Sequence, residues 1–182
     1  MRLIRRLLLV ALATLLSPAL VACGDDKEQD SASAKAATTL KGDGFSVEMP
    51  GKPERRVLSA PTPAGPVPIT SYLTQDGEEG FSMSVLKIPK GARFDLDGAV
   101  RGAAANVKGT VGDNAKTSYE GFPARDARIT NAADENGNKG TVFARMILTE
   151  DRFFQLQFVK EGADVKSPPA AYKRFVSSLK IG

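Results

Sequence analysis

All twelve Phe and Tyr side chains lie at Phe45 or later, and this asymmetry decides where the chain can build a core. Burial of large apolar groups is what offsets the entropy of ordering a chain. Residues 41–182 contain such groups and are long enough for a single domain. Residues 24–39 contain none: the run from Gly24 to Asp30 is charged, and Ser31 to Thr39 is built from Ala, Ser, Thr and Lys. A segment of that composition is expected to stay disordered. Residues 23–40 therefore read as a tether, whose seventeen residues after Cys23 have an r.m.s. span of roughly 23 Å.

The segment ahead of the tether reads as an export signal over residues 1–22. Arg2, Arg5 and Arg6 form a charged start, residues 7–16 form an apolar run of ten, and Ser17-Pro18 breaks any helix. Ten apolar residues fall well short of the roughly 20 that a membrane-spanning helix requires, so the pattern predicts a signal that is removed. Leu20-Val21-Ala22-Cys23 resembles the lipobox of bacterial lipoproteins at all four positions, and the only Cys of the chain falls on it. The resemblance implies diacylglyceryl transfer to the Cys23 sulfur and cleavage just before it. Two acyl chains give stable anchoring where one holds only marginally. The expected location is the extracytoplasmic face of the cell membrane, with the membrane itself as a partner through the N-terminal lipid anchor. The Leu and Ile around Arg5-Arg6 depart from the twin-arginine pattern, which favours general secretion.

Charge and composition then exclude several chemistries. The chain has 25 Lys and Arg against 21 Asp and Glu. Without Arg2, Arg5 and Arg6, 22 basic side chains face 21 acidic ones, a net charge of +1. So even a balance gives no electrostatic footprint for nucleic acid. The absence of His removes Ser-His and Cys-His nucleophile pairs and imidazole metal ligands. A single Cys excludes an intrachain disulfide and a Cys-based zinc site. No cofactor is expected.

Within residues 41–182, periodicity predicts an α+β domain. Phe45, Val47 and Met49 alternate with polar residues in a strand stopped by Pro50-Gly51. Residues 54–58, 69–75 and 81–88 read as further strands, the last two joined as a hairpin through Asp76-Gly77-Glu78-Glu79-Gly80. The four prolines between residues 60 and 68 mark a loop or sheet edge. Asp95 can cap a helix with an apolar stripe of Leu96, Ala99, Val100, Ala103 and Val107, ending before Gly109. Gly98 and Gly102 within it signal either close packing on a sheet or composition alone. Residues 116–120, 124–131, 141–148 and 153–160 are strand-like. Ser167-Pro168-Pro169 then opens a helix whose face is Tyr172, Phe175, Val176 and Leu179. The expected order is ββββαββββα, an antiparallel β-sheet flanked by two helices.

Three segments together resemble a known fold. Gly121-Phe122-Pro123-Ala124, the strand containing Phe153-Phe154-Gln155-Leu156, and the helix from Tyr172 to Leu179 are similar to the PsbP-like sandwich. Actinobacterial lipoproteins of the LpqN type are similar over roughly residues 44–181. The resemblance implies an accessory or partner-binding protein and brings no catalytic residues.

The remaining motifs carry little chemistry. Asp134-Glu135-Asn136-Gly137-Asn138 begins like a calcium loop, but Lys139 and Arg145 stand where Gly and Glu are required; it reads as a hairpin turn. Gly42-Asp43-Gly44 lacks the rest of a nucleotide loop and leads into the first strand. Glu78-Glu79 and Asp95/Asp97 sit in turns and caps. Phe122, Pro123 and Arg125 form the candidate partner-binding segment, since aromatics and Arg are favoured at hot spots. The alternative is that Phe122 is core and Pro123 marks a strand end. Phe153 and Phe154 point to opposite faces of a strand, so helices on one face only would leave an exposed aromatic strip. Two functions remain: a non-catalytic domain that binds an envelope protein or a small apolar ligand, or an extracytoplasmic hydrolase using carboxylates, a Ser-Lys pair or Tyr. No G-x-S-x-G motif is present, and the binding function is the expectation. Cys23→Ala should abolish metabolic palmitate labelling and leave the precursor uncleaved or released; retention of the label would end the anchor assignment.

Overall fold

Strands with apolar residues on alternate positions bury one face, and strands with apolar residues at nearly every position need cover on both. This chain contains both kinds. The computed structural model describes residues 36–60, 65–134, 136–162 and 164–182. Cys23, the export signal and the tether as far as residue 35 lie outside the described residues. The elements run β1 (Ala37–Gly42), β2 (Phe45–Pro50), β3 (Glu54–Ala60), β4 (Val67–Asp76), β5 (Glu79–Lys87), α1 (Leu96–Asn106), β6 (Thr110–Tyr119), β7 (Phe122–Ala133), β8 (Lys139–Leu148), β9 (Arg152–Glu161), α2 (Ala170–Ser177) and β10 (Lys180–Ile181).

Seven strands form one antiparallel sheet in the order β3-β4-β5-β9-β8-β7-β6, and β1-β2-β10 form a small second sheet. The central pair, β8 and β9, feeds both faces. Val142, Ala144, Met146 and Phe153 join Leu96, Val100, Ala103 and Ala104 of α1 in one buried cluster. Phe143, Ile147, Phe154, Leu156 and Phe158 join Tyr172, Phe175 and Val176 of α2 and Phe45, Val47 and Met49 of β2 in the other. Both faces are thus covered, and the exposed aromatic strip that one-sided cover would leave does not form: Phe153 is 7% and Phe154 0% exposed. Each such burial contributes about 1.5–3 kcal/mol. Edge-on ring contacts add geometry to area. Phe81 meets Phe158 at 5.1 Å and Phe175 at 5.7 Å, and Phe45 meets Phe154 at 5.9 Å.

The observed order is βββββαββββαβ, with two strands beyond the expected eight. Residues 37–40, assigned to the disordered tether from composition, pair in β1 from Ala37↔Pro50 onward. Main-chain hydrogen bonds to an already buried β2 need no apolar pattern, and Leu40 alone of this strand packs on the core. The two-residue β10 pairs with Phe45 and Ser46 on the other side of β2. A further correction concerns residues 120–123. Glu120 (φ 49°) and Gly121 (φ 86°) make the two-residue turn with both φ values positive that matches strand twist. Phe122 and Pro123 therefore belong to β7 and not to a loop.

The helices follow their end signals unequally. Asp95 caps α1 by accepting from the Asp97 N–H at 2.9 Å. A Cβ on Gly98 would stand 2.8 Å from the Asp95 carboxylate, whereas one on Gly102 would meet nothing. Gly102 is thus no packing seam. In α2 the N-cap is Pro169, with no side-chain cap bond, so Ser167 does not play the capping role its position suggested. The β1–β2 turn leaves no room for a side chain at Gly44. Gly44 has φ +72°, and a Cβ there would overlap the Arg152 guanidinium and stand 2.9 Å from the Gly182 carbonyl oxygen. Urea unfolding should separate the two glycines: Gly102→Ala should gain about 0.5–1 kcal/mol from helix propensity, while Gly44→Ala should lower the midpoint. Equal effects would mean that backbone strain at Gly44 is absent.

Candidate binding cleft beside the second helix

Charged residues within strands that are otherwise buried need partners, and strand register supplies them here. Asp126 of β7 lies directly opposite Arg145 of β8. Their side chains pair bidentately, Arg145 Nε to Oδ1 at 2.7 Å and Nη2 to Oδ2 at 2.6 Å. The Arg145 guanidinium also sits 5.9 Å from the centre of the Tyr119 ring. The Tyr119 hydroxyl in turn donates to the Leu179 carbonyl just past α2. Two residues further along β7, on the same face, Arg128 donates from Nε to Asp113 of β6 at 2.7 Å and from Nη1 to Asp164 at 3.4 Å. A bulge at Gly112 makes this possible. The register skips between Val111 and Asp113, so Asp113 takes the place opposite Arg128 that Gly112 would otherwise hold.

Between these ion pairs and α2 lies an open cleft of about 420 Å³. Phe143, Tyr172 and Val176 provide its apolar surface, and Lys166, Pro168, Lys173 and Ser177 its outer rim. Tyr172 is 6% exposed, and burial pushes its phenol well above the usual range. The Asp126 charge pushes in the same direction and Arg145 opposes it, so the hydroxyl remains a neutral hydrogen-bond donor. Lys166 and Lys173 are exposed and form no ion pair with any described residue. The cleft therefore offers a greasy floor, one neutral donor and two ammonium groups at the opening. Its two inner carboxylates are already held by guanidinium groups.

The segment proposed from sequence is placed differently. Phe122 is half-buried against the cluster under α2. Pro123 is exposed one residue ahead of the first β7–β8 pair, Ala124↔Ile147. Arg125 faces the other side of the sheet, where Nε and Nη2 bind both oxygens of Asp97 in the first turn of α1 at 2.8 and 2.9 Å. Residues three apart on a strand point to opposite faces, so Phe122 and Arg125 do not share a surface. Other carboxylates singled out by sequence are also engaged. Glu78 and Glu79 face Lys160 at 3.3 and 3.7 Å. Asp134 accepts from the Asn136 and Asn138 N–H groups at 2.9 and 2.8 Å, closing the β7–β8 turn. The cleft residues escaped the sequence reading. Their signal was Asp126, Arg128 and Arg145 standing at inward positions of long strands.

No protein-family model matches the chain, and no curated protein matches it. Its structure is similar to the solution structure of cyanobacterial PsbP (CyanoP) from Synechocystis sp. PCC 6803. The TM-score is 0.53 at 9% identity, covering 87% of this chain and 98% of that one. A crystal structure of PA94, a protein of unknown function from Pseudomonas aeruginosa, matches with a TM-score of 0.38 at 10% identity, over 70% of this chain and 85% of that one. The first likeness shows a PsbP-like fold.

Arg125 has a measurable structural role. Hydrogen bonds from Arg125 and then Asn114 hold the Asp97 carboxyl well below its ordinary value of 3.8. A depressed carboxylate contributes stability that is complete above the unfolded value, near about pH 4, and lost as pH falls further. Arg125→Met should therefore lower stability at pH 7 and flatten its fall below about pH 4, read from urea midpoints. An acid limb as steep as that of the parent would refute the role.

Proposed function

We propose that the chain is a lipid-anchored extracytoplasmic lipoprotein whose PsbP-like domain, of the LpqN type, binds a ligand and performs no turnover. The cleft beside α2 is its site, and the ligand is a small elongated apolar molecule ending in an anionic group. The observation that carries this reading is the composition of the cleft: Phe143, Tyr172 and Val176 inside, with Lys166 and Lys173 at the opening. An apolar body fills such a floor, and an anion at the rim meets two ammonium groups that have no ion-pair partner among the described residues. The Tyr172 hydroxyl gives a polar link between the two ends. The lipobox at Cys23 supports the location, and the tether would keep the cleft within tens of ångströms of lipid. The hydrolase alternative has less support, because Asp126 and Asp113 are bound by Arg145 and Arg128 and neither is placed as a free general base.

Photo-crosslinking in intact cells tests the reading. A benzophenone side chain replaces Ser177 at the rim, with a second placed at Arg101 on the outside of α1 as a control. Mass spectrometry should find a small-molecule adduct at position 177 and none at 101. Reversing both charges, Lys166→Glu with Lys173→Glu, should cut the adduct about tenfold. Equal labelling at the two positions, or an adduct indifferent to the charge reversal, would overturn the ligand assignment.

A further inference from the structure

The seven-stranded sheet ends in two very different edges. β6 is interrupted by the bulge at Gly112 and carries Asp113 and Lys116. β3 is regular: all seven residues from Glu54 to Ala60 pair with β4 without a register shift, and among the described residues no strand pairs its outer edge. It also carries the two exposed large hydrophobics among the described residues, Val57 at 54% and Leu58 at 55%. These neighbours point to opposite faces of the sheet. An unbroken edge with apolar groups on both faces is a template for another strand.

We propose that the occupant is a second copy of this chain, its β3 pairing antiparallel with β3 and Val57 on the two-fold axis. The sequence of the strand is what selects a copy of itself. Val57 is the midpoint of Glu54–Ala60, so the register in which all seven residues pair places Val57 opposite Val57. Glu54 then faces Ala60, Arg55 faces Ser59, and Arg56 faces Leu58. No like charges are opposed, and each Leu58 is covered by the aliphatic stem of the opposite Arg56. Arg56 keeps its own Glu54, at 2.8 and 3.1 Å. A slip of two residues one way sets Arg56 against Arg56, and a slip of four sets Arg55 against Arg55. A slip of two the other way leaves five pairs. Pro53 and Pro61 flank the strand and lack the N–H that would extend the ladder. On the α1 side, Leu58 borders a groove of about 450 Å³ that also includes Ile69, Leu86, Phe94 and Phe153; the paired strand closes its open end.

Cysteine crosslinking of the full chain in its native membrane tests this, with a short bis-maleimide and the unsubstituted chain as background. Directly opposed residues place their Cβ atoms about 4.5–5.5 Å apart, so Val57→Cys should give a covalent product of twice the chain mass. Lys116→Cys on the β6 edge should react about tenfold more slowly, lacking the effective concentration of a paired neighbour. A chain carrying Arg55→Cys with Ser59→Cys, which face each other across the axis, should also link, and adding Val57→Lys to it should abolish the product while the unfolding midpoint holds. A Val57→Cys chain that links no faster than Lys116→Cys, or links mainly to a protein of another mass, would overturn the dimer. Arg55→Cys linking faster than Val57→Cys would overturn the register.

Discussion

The fold depends on the two-sided burial of β8 and β9. Adjacent residues Phe153 and Phe154 leave the strand in opposite directions, and both are buried. That single condition requires cover above and below. α1 provides it on one side, packed through Leu96 and Val100. On the other, α2 and the small sheet act together, since Phe45, Val47 and Met49 share a cluster with Phe175 and Val176. Both helices are short, eleven and eight residues. Each is stable because a strand pair at the centre of the sheet has no other way to exclude water.

Much of this was legible in the chain, and the parts that were not have a common cause. The alternation of Phe45, Val47 and Met49, the β4–β5 and β8–β9 hairpins, and the Asp95 cap all appear where local pattern places them. β1, β10 and the first residues of β6 do not announce themselves. Their side chains are mostly exposed, and what orders them is main-chain bonding to a neighbour brought there by the core. Composition reads side chains, so it counted Ala37 to Leu40 as tether. The likeness of Gly121-Phe122-Pro123-Ala124 and the final helix to PsbP-like proteins anticipated the architecture, and the structural similarity to CyanoP agrees with it.

The site was less legible than the fold because it is made by register. Nothing in the spacing of Asp113, Asp126, Arg128 and Arg145 along the chain says that they meet in pairs. Two hairpins and one extra residue at Gly112 bring them opposite each other. Phe122 and Arg125 show the reverse case: near in sequence, they are separated by the sheet. One serves the core under α2, and the other fastens the start of α1 to β7 through Asp97. Hot-spot residue types mark a binding surface only when the strand turns them the same way.

The bulge at Gly112 has a consequence beyond the cleft. A sheet with two smooth edges has a valence of two, and copies can add at both ends without limit, as in a fibre. Kinking β6 leaves the seven-stranded sheet one regular edge. Pairing of two copies through that edge, as proposed above, would be self-terminating for this sheet, because each copy would consume its one regular edge. The same extra residue that sets Asp113 opposite Arg128 thus leaves the seven-stranded sheet with a valence of one.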